Sequence, residues 1–536
     1  MATAKISKPK HKVLWLRFGL TFLVLVFVAL AVAYLESDAF RERVRRDLVA
    51  QLEAITGGTV ELKTFTWNLV HLQFDVDGLT IHGLENSTEL PYAHIDHAHV
   101  AVKITSLLGR QLRLSEFDVQ HPVIHLVVYP DGSTNQPTPK TVQAAEPGAA
   151  RLFGLHVDRL RVSEGMLLLN EKQVPFDIDA NLVTAGMIYS AKPQPNYAGT
   201  LQIGSLSLKH SDASQVQSQA QMAFAIRKNE LQVNSLKWTS GNSRLQASGA
   251  IMDFRNPRLE ANYQASFELQ AVGKVIGHGE LRDGIVDLNG TLRYLSSEDF
   301  FSSGNASLRN GAYSSAVLRL ANVNANSDFT VDVDRITLTK LKGAALGGSF
   351  AGNATLLHWA KIAPKARIGT GNRKQLRSRP QEGIIQLALT GIQLSLGARA
   401  ILPASDPLNH LHIASSADGS LGIRWTESPR YADVAVDLSA QAPASAPSFD
   451  LPLAGSIQAT YHGRGDRVDV AGVNLAGRAT RLSATGVLGV DSRMKVSLNT
   501  SDLSELEPVM RAWGAATEPL PAIVHGQASF NGTLTG

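Results

Sequence analysis

The chain has 536 residues, too many for one ordinary compact core, so we expect several domains or one elongated structure. Its net charge of +4, from 51 basic and 47 acidic side chains, is too weak over this length for nucleic-acid binding by bulk charge. There is no cysteine, which excludes disulfides and thiolate metal sites and is compatible with export. With 6% aromatic residues and 44 glycines, the composition favours many short aliphatic strands joined by turns.

The N-terminal region predicts a membrane anchor. Residues 1–12 form a basic tail, and residues 13–35 include the uncharged run Phe18–Leu35. As a helix this run is roughly 27 Å long, about the hydrocarbon thickness of a bilayer. The cations before it favour a cytoplasmic N-terminus: Lys5, Lys8, Lys10, Lys12 and Arg17. The alternative is a cleaved signal peptide, since Ala31-Val-Ala33 is an acceptable cleavage site, and either reading places most of the chain beyond the membrane.

Residues 36–58 predict a short amphipathic helix. Ser37 can cap a helix that begins at Asp38, and Gly57-Gly58 ends it. One stripe is apolar: Phe40, Val44, Leu48, Leu52 and Ile55. We expect this stripe to pack on the next domain, with a place at the membrane surface or at one end of an open sheet as the alternatives.

From Val60 onward the sequence alternates between apolar and polar residues, which predicts strands with one wet face and one apolar face. The pattern is degenerate but repeated. Leu231–Ile251 aligns without gaps to Val468–Leu488, and a weaker copy begins at Ile336. Such repetition indicates an extended array of stacked units.

Three segments interrupt the array. Residues 136–150 predict a linker within the longer run Asp131–Ala150, whose Asp131-Gly132 pair predicts a turn, and the segment 439–448 is rich in alanine, proline and serine. The segment 361–379 carries seven cations and no acid. We interpret it as a solvated loop, with contact to anionic lipid headgroups or an acidic partner as the alternative.

No signature of catalysis is present. The phosphate-binding, dinucleotide-binding, zinc-protease and serine-hydrolase motifs are all absent, and "GGSFAG" around Ser349 lacks the final glycine of the nucleophile pattern. His97 and His99 share one side of a predicted strand, but no third metal ligand has motif spacing. We therefore expect no enzymatic activity, no catalytic or metal site and no cofactor.

The membrane segment is followed in order by "SLLGRQLRLSEFDVQHPVIHLVVYPDGSTN" and "LRVSEGMLLLNEKQVPFDIDANL". This order of segments resembles the AsmA-like family, and within it the TamB-like proteins, and the resemblance is distinctive over residues 13–185. It implies a mainly β fold, in which the two N-terminal helices precede an elongated, twisted, repetitive antiparallel β-groove with a taco-like section. Residues 59–135 would be the first β unit and residues 151–536 the repetitive groove. The chain ends in mid-pattern at Gly536, so we expect a fragment or a short member of the family.

The resemblance implies a bridge-like lipid carrier, anchored in the bacterial inner membrane with most of its mass in the periplasm. Phospholipid and the inner membrane are the expected partners, with an outer-membrane β-barrel protein as a further one and no nucleic acid. The alternatives are a scaffold for outer-membrane protein assembly and a membrane-anchored β-solenoid adhesin. Alternation selects these candidate groove-lining residues: Val100, Val102, Ile104, Leu112, Leu114, Ile124, Leu126, Val128, Phe176, Ile178 and Leu182. For those from Val100 to Val128, a place in an ordinary buried core is the alternative.

Overall fold

The computed structural model is mainly β, as the sequence predicts. It describes residues 21–23, 25–27, 29–30, 33–68, 70–103, 113–138, 153, 156–172, 176–210, 215–296, 299–359, 379–403, 405–447, 450–514 and 525–536. The chain divides into two compact units. The first holds residues 1–211 and 225–229, and the second holds residues 212–224 and 230–536.

The first unit contains one long helix, α1 (Asp38–Thr56), followed by seven strands. The strands pair in chain order, each with the next. Their bounds are β1 (Thr59–Asn68), β2 (Gln73–His82), β3 (Ala93–Val102), β4 (Leu114–Val128), β5 (Val157–Glu171), β6 (Phe176–Ser190) and β7 (Asn196–His210).

Strand β8 (Val216–Arg227) contributes residues to both units. The second unit continues with strands that pair antiparallel in chain order from β9 to β24. Their bounds are β9 (Glu230–Ser240), β10 (Ser243–Met252), β11 (Arg258–Glu268), β12 (Leu281–Ser296), β13 (Asp299–Ser314), β14 (Arg319–Asp332), β15 (Arg335–Ala345), β16 (Gly348–Leu357), β17 (Glu382–Gln393), β18 (Ser416–Thr426), β19 (Asp433–Gln441), β20 (Ala454–His462), β21 (Arg467–Ala476), β22 (Thr480–Leu488), β23 (Arg493–Thr500) and β24 (Ala528–Thr535).

Short helices follow several strands of the second unit. They are α2 (Leu269–Ile276), α3 (Leu394–Ile401) and α4 (Glu507–Gly514), with 3-10 turns at Pro407–His410, Pro429–Tyr431 and Leu503–Leu506. Helix α2 contacts β11 and β12, and α3 contacts β14 and β17. These helices therefore lie at the ends of the strands that they contact.

Helix α1 has the predicted bounds. The Ser37 hydroxyl accepts a hydrogen bond from the Phe40 backbone N–H, and Gly57 ends the helix at φ 82°. Leu48, Val49 and Leu52 pack on the buried cluster formed by β1 and β2. The interpretation that this helix packs on the next domain is confirmed, although Ile55, at the end of the predicted stripe, is 45% exposed.

The predicted membrane segment, residues 13–35, lies mostly outside the described residues, as does the basic tail. Within the part of the chain that the structure describes, no helix combines the length and apolarity needed to span a bilayer. The described residues between 21 and 35 are helical, and Phe22, Leu25 and Phe27 are each more than 60% exposed.

One strand pair departs from the antiparallel prediction. Strands β4 and β5 pair in parallel, from Leu114 with Val157 to Val128 with Glu171. Parallel neighbours need a crossover connection of a dozen or more residues, and residues 129–156 supply it. The predicted linker 136–150 is thus part of a connection between two strands of one sheet. Before it, Gly132 at φ 84° makes the predicted turn, in which Asp131 accepts from the Ser133 N–H.

The predicted internal repeats correspond to one element, the β-hairpin. Leu231–Ile251 spans β9 and β10, Val468–Leu488 spans β21 and β22, and the weaker copy at Ile336 spans β15 and β16. Gly249 and Gly486 occupy equivalent positions, and a Cβ at either would lie within 2.9 Å of backbone atoms of the neighbouring strand. The close approach of the next strand therefore accounts for both glycines.

Two of the interrupting segments lie partly outside the described residues. Of the basic segment 361–379, only Arg379 is described. The segment 439–448 begins as the last residues of β19, which ends at Gln441, and continues without regular structure to residue 447.

Candidate functional site

Residues that pair across neighbouring strands place their side chains on the same face of a sheet, so the register defines rows that cross the strands. In the first unit one such row is Trp67, Phe74, Val100, Phe117, Leu160 and Met187. A second row is Val60, Ile81, Ala93, Ile124, Leu167, Ala180 and Leu206. Neither contains a charged side chain. We call the surface formed by these rows and their equivalents in the second unit the apolar face.

Most of the predicted lining residues that the structure describes lie on this face. Val100 and Ile124 belong to the two rows above, Val102 pairs with Leu114, and Leu126 shares a row with Ile178 through Leu169. Val128 pairs with Glu171, so the apolar character ends at that pair. Ile104 and Leu112 lie outside the described residues, and of Phe176 only the backbone position in β6 is described.

These residues differ in how far they are covered. Leu114 is buried with Val157 and Tyr197 in a closed cluster, against which Val100 and Val102 pack. Ile124 is 43% exposed and its neighbour Leu167 is 40% exposed. Val128, Leu126 and Ile178 are half-buried. The apolar face of the first unit is therefore closed around Leu114 and accessible around Ile124.

Leu182 departs from the simple alternation. It adopts φ 54°, and its side chain is 62% exposed. A Cβ placed on Gly165 would contact both Pro122 and Val183. The side chain of Val183, the next residue, therefore points to the same side of the sheet as Pro122. The left-handed residue thus shifts the apolar positions of β6 from even to odd numbers. The two consecutive apolar residues at 182 and 183 were the sequence signal for this shift.

Left-handed residues occur at the same position along several neighbouring strands of the sheet. Gly78 in β2, His121 in β4 and Glu164 in β5 also have φ between 48° and 62°. The register brings His121 beside Glu164, where Nε2 of the histidine lies 2.6 Å from the carboxylate. Asp96 of β3 lies 3.7 Å from the other ring nitrogen. We call Gly78, His121, Glu164 and Leu182 the left-handed line.

The second unit carries the longest apolar row, which we call the central row. It crosses the fourteen strands from β9 to β22 without a charged residue. At about 4.8 Å per strand it extends over roughly 60 Å. Its members are Leu236, Ala247, Tyr263, Gly290, Gly304, Phe329, Leu338, Ala354, Ile385, Ile423, Val434, Tyr461, Val468 and Leu488.

Glycines beside aromatic residues make this face shallow. A Cβ on Gly383 would lie 2.0 Å from the Trp425 ring, and one on Gly343 would lie 2.4 Å from the Phe350 ring. Each pair is in register on neighbouring strands, so the ring occupies the space above the glycine. The aromatic side chains therefore lie along the sheet rather than standing up from it.

The side chains of the central row are partly covered. Phe329 is buried and Leu488 is 44% exposed, while the other members are half-buried. Strand β19 shows the contrast between faces, because Val434, Val436 and Leu438 are half-buried whereas Asp433 and Asp437 are exposed. An apolar surface that is half-covered along its whole length can accept an apolar ligand without unfolding.

The opposite face of the first unit is polar and internally paired. His97 Nδ1 lies 2.7 Å from Asp77, and His99 Nδ1 lies 2.6 Å from Asp75. The two histidines share a side, as their spacing predicts, but each is held by a carboxylate of β2. No cluster of three or more potential metal ligands occurs among the described residues. The polar side chains of this face therefore pair with one another.

Aromatic rings connect the N-terminal helical residues to the apolar face. Tyr34 contacts Phe40 at a centroid distance of 5.2 Å, and Phe40 contacts Trp67 at 5.4 Å. Phe65 then lies 5.5 Å from Trp67 and 6.2 Å from Phe74. The indole N–H of Trp67 is buried without a hydrogen-bond partner in the described structure. We call these five residues the aromatic path; sequence reasoning missed it because its contacts depend on how the helical residues pack on β1 and β2.

One ionic contact ties the connection before β3 to the ends of β4 and β5. Lys172 Nζ lies 2.9 Å from one oxygen of Glu89, and the Tyr129 hydroxyl donates to the other at 2.7 Å. The hydrogen bond from Lys172, followed by that from Tyr129, lowers the pKa of Glu89 to about 2. The same hydrogen bond to Glu89 raises the pKa of Tyr129 to about 12.

The comparisons with known proteins do not assign a family. No family model matches the chain. No curated protein matches it significantly either. Inferences about function therefore rest on the residues and the geometry described above.

Proposed function

We propose that this protein carries phospholipid and that the apolar face of each unit forms the floor of an open, twisted, taco-like groove for acyl chains. The substrate is a diacyl lipid whose headgroup stays in water. No covalent chemistry takes place, and the protein acts by lowering the cost of moving an apolar chain through an aqueous compartment.

The observation that carries this proposal is the central row, which is free of charge over fourteen strands. Exposing an acyl chain of about 16 carbons to water costs roughly 13 kcal/mol at about 0.8 kcal/mol per CH₂. Aliphatic side chains such as Leu338, Ile385 and Val434 remove most of this cost when the chain lies along them. A single charged residue in the row would restore part of the cost as a local barrier.

The shallow floor favours movement over retention. A tight ligand site has a deep pocket with a few fixed polar contacts. The central row instead offers methyl groups and flat rings, and aromatic side chains fill the space above Gly343 and Gly383. Successive positions are therefore close in energy for an acyl chain, which can slide between them.

The N-terminal residues suggest where lipid would be loaded. Apolar side chains such as Phe22 and Phe27 are exposed, and the aromatic path leads from Tyr34 to Phe74 on the apolar face. We propose that residues 13–35 anchor the chain in the bacterial inner membrane, with a cytoplasmic N-terminus and the remainder in the periplasm. We also propose that the chain belongs to the AsmA-like family, because the order of its N-terminal segments resembles that family.

The test is lipid transfer between vesicles with two matched variants of β19. Val436 lies on the apolar face and is half-buried, whereas Ala435 beside it lies on the opposite face and is exposed. Val436→Asp places a carboxylate on the floor, and Ala435→Asp places the same carboxylate in water. We expect Val436→Asp to reduce transfer of a fluorescent phospholipid at least tenfold and Ala435→Asp to change it less than twofold.

Folding is checked by circular dichroism and thermal denaturation of both variants. Equal transfer by the two variants, with both folded, would refute the proposed floor. Mass spectrometry of lipid that co-purifies with residues 37–536 gives an independent readout. A folded protein without bound lipid would contradict the carrier function.

A further inference from the structure

The exposed side of the second unit holds a cavity that the lipid-carrier function does not use. Its volume is about 870 Å³, and its lining spans strands β10 to β15. The residues that line it lie mainly on the face opposite the central row, and half of them are exposed amide or basic residues.

The register arranges these side chains in two parallel rows. The first, the amide row, consists of Gln246, Gln264, Asn289, Asn305 and Asp328. The second, the charged row, consists of Arg244, Ser266, Asp287, Ser307, Asn326 and Lys342. Neighbouring members of a row are separated by the strand spacing of about 4.8 Å.

Three amides of the cavity have no side-chain partner in the described part of the chain. Among the described residues, no hydrogen bond joins the side chains of Gln246, Gln264 and Asn289 to other protein atoms. Asn305, a fourth amide of the cavity, donates to Asp328 at 2.6 Å. The cavity therefore presents donors and acceptors that remain available to a ligand.

The charges in the cavity are partly compensated. Asp328 is held by Lys340 Nζ at 2.8 Å, and Asp287 by Arg309 at 2.7 Å. Both acids thus have a basic partner, and Arg244, which also attracts Asp287, stands at the opposite end of the charged row from Lys342. Five strand spacings place these two cations roughly 24 Å apart.

We propose that this cavity binds an oligosaccharide that carries acidic groups. Each carboxamide offers two donors and an acceptor, which complement the hydroxyl groups of a sugar, and a repeating polymer matches a repeating row of amides. Arg244 and Lys342 pair with carboxylate or phosphate groups at the two ends of the bound segment. This site lies on the face opposite the groove and does not depend on the proposed function.

The test is isothermal titration calorimetry of the full chain in detergent with two probes, a hyaluronan hexasaccharide and the uncharged chitin hexasaccharide. We expect the hyaluronan probe to bind at least tenfold more tightly, because only it pairs with Arg244 and Lys342. Absence of hyaluronan binding at millimolar concentration overturns the proposal, as does equal affinity for the two probes.

Three variants locate the binding. The double variant Gln264→Ala with Asn289→Ala removes two amides and is expected to weaken hyaluronan binding about tenfold. Arg244→Ala is expected to weaken hyaluronan binding severalfold and to leave chitin binding unchanged. Gln386→Ala removes an exposed amide of β17 outside the cavity and is expected to change nothing. An unchanged double variant, or an equal loss in Gln386→Ala, overturns the site.

Vesicles distinguish the two sources of such a sugar. Retention on vesicles with a sialylated glycolipid, beyond that on phosphatidylcholine vesicles, supports the proposal and identifies a lipid-linked glycan. Equal retention on both, together with hyaluronan binding, supports it and identifies a free glycan. Lipid transfer by the double variant is expected to be normal, so failure of this site and failure of the groove are separable.

Discussion

The two units present an apolar face of the same construction, but they cover it differently. In the first unit, helix α1 packs on β1 and β2, and Val157 and Tyr197 close a second cluster around Leu114. In the second unit, most of the central row is half-buried, and the short helices contact the ends of the strands. The comparison suggests that the covered part of the apolar face stabilises the fold and that the half-covered part is available for a ligand.

The largest expected effect is a charge in the covered part. Leu62 is 5% exposed beneath α1, so Leu62→Asp buries a carboxylate without a partner and is expected to lower the free energy of unfolding by about 4 kcal/mol. Urea denaturation followed by circular dichroism measures it. The matched change in the half-covered part, Ile423→Asp, is expected to cost about 1 kcal/mol. Equal losses would show that the two parts do not differ.

A smaller effect is expected from one hydroxyl group. The Tyr197 side chain is fully buried, and its oxygen accepts a hydrogen bond of 3.1 Å from the Val157 backbone N–H. Tyr197→Phe leaves that N–H buried without an acceptor and is expected to destabilise the first unit by about 2 kcal/mol. Tyr461→Phe in the half-covered central row is the control and is expected to be nearly neutral, since its hydroxyl bonds an exposed aspartate. A neutral Tyr197→Phe would contradict the closed cluster.

Much of the structure of the two units can be predicted from the sequence, but the difference in how their apolar faces are covered cannot. Alternation identifies the apolar face, Ser37 and Gly57 identify the ends of α1, and the Asp131-Gly132 pair identifies the turn, because each signal depends on neighbouring residues. The repeats, which the structure shows to be hairpins, are visible in the sequence for the same reason. The sequence does not predict the parallel pairing of β4 with β5 or the cover over Leu114. These depend on contacts between residues that are distant in sequence. The left-handed line is intermediate, because the adjacent apolar residues Leu182 and Val183 signal it only locally.

Low pH is expected to weaken the ion pair between Glu89 and Lys172, which links the connection before β3 to the ends of β4 and β5. Because the pKa of Glu89 is lowered to about 2, its contribution to stability is complete above its ordinary value near 4.5. That contribution is lost as the pH falls from about 4.5 towards 2. Glu89→Gln is expected to lack this part of the pH dependence, which urea denaturation between pH 2 and 7 measures. Identical pH profiles for the variant and the unmodified protein would contradict the role of Glu89.

The smallest effect concerns the left-handed line. Leu182 adopts φ 54°, a conformation that asparagine tolerates better than leucine. Because the side chain is 62% exposed, Leu182→Asn is expected to stabilise the first unit by about 0.5 kcal/mol. Ile188, also 62% exposed on β6 but outside the left-handed region, is the control, and Ile188→Asn is expected to destabilise slightly. Melting temperatures test the difference, and destabilisation by both variants would contradict this account of the shift.

The most direct measurement of the central claim is photocrosslinking of lipid to the apolar face. A benzophenone amino acid is placed at Val434 or Val436 on the half-covered floor, and at Ala435 on the opposite face as control. After irradiation of the full chain in membranes, mass spectrometry detects phospholipid adducts. The account predicts adducts at Val434 and Val436 and none at Ala435. Adducts at none of the three positions, or equally at all three, would contradict a groove that holds lipid.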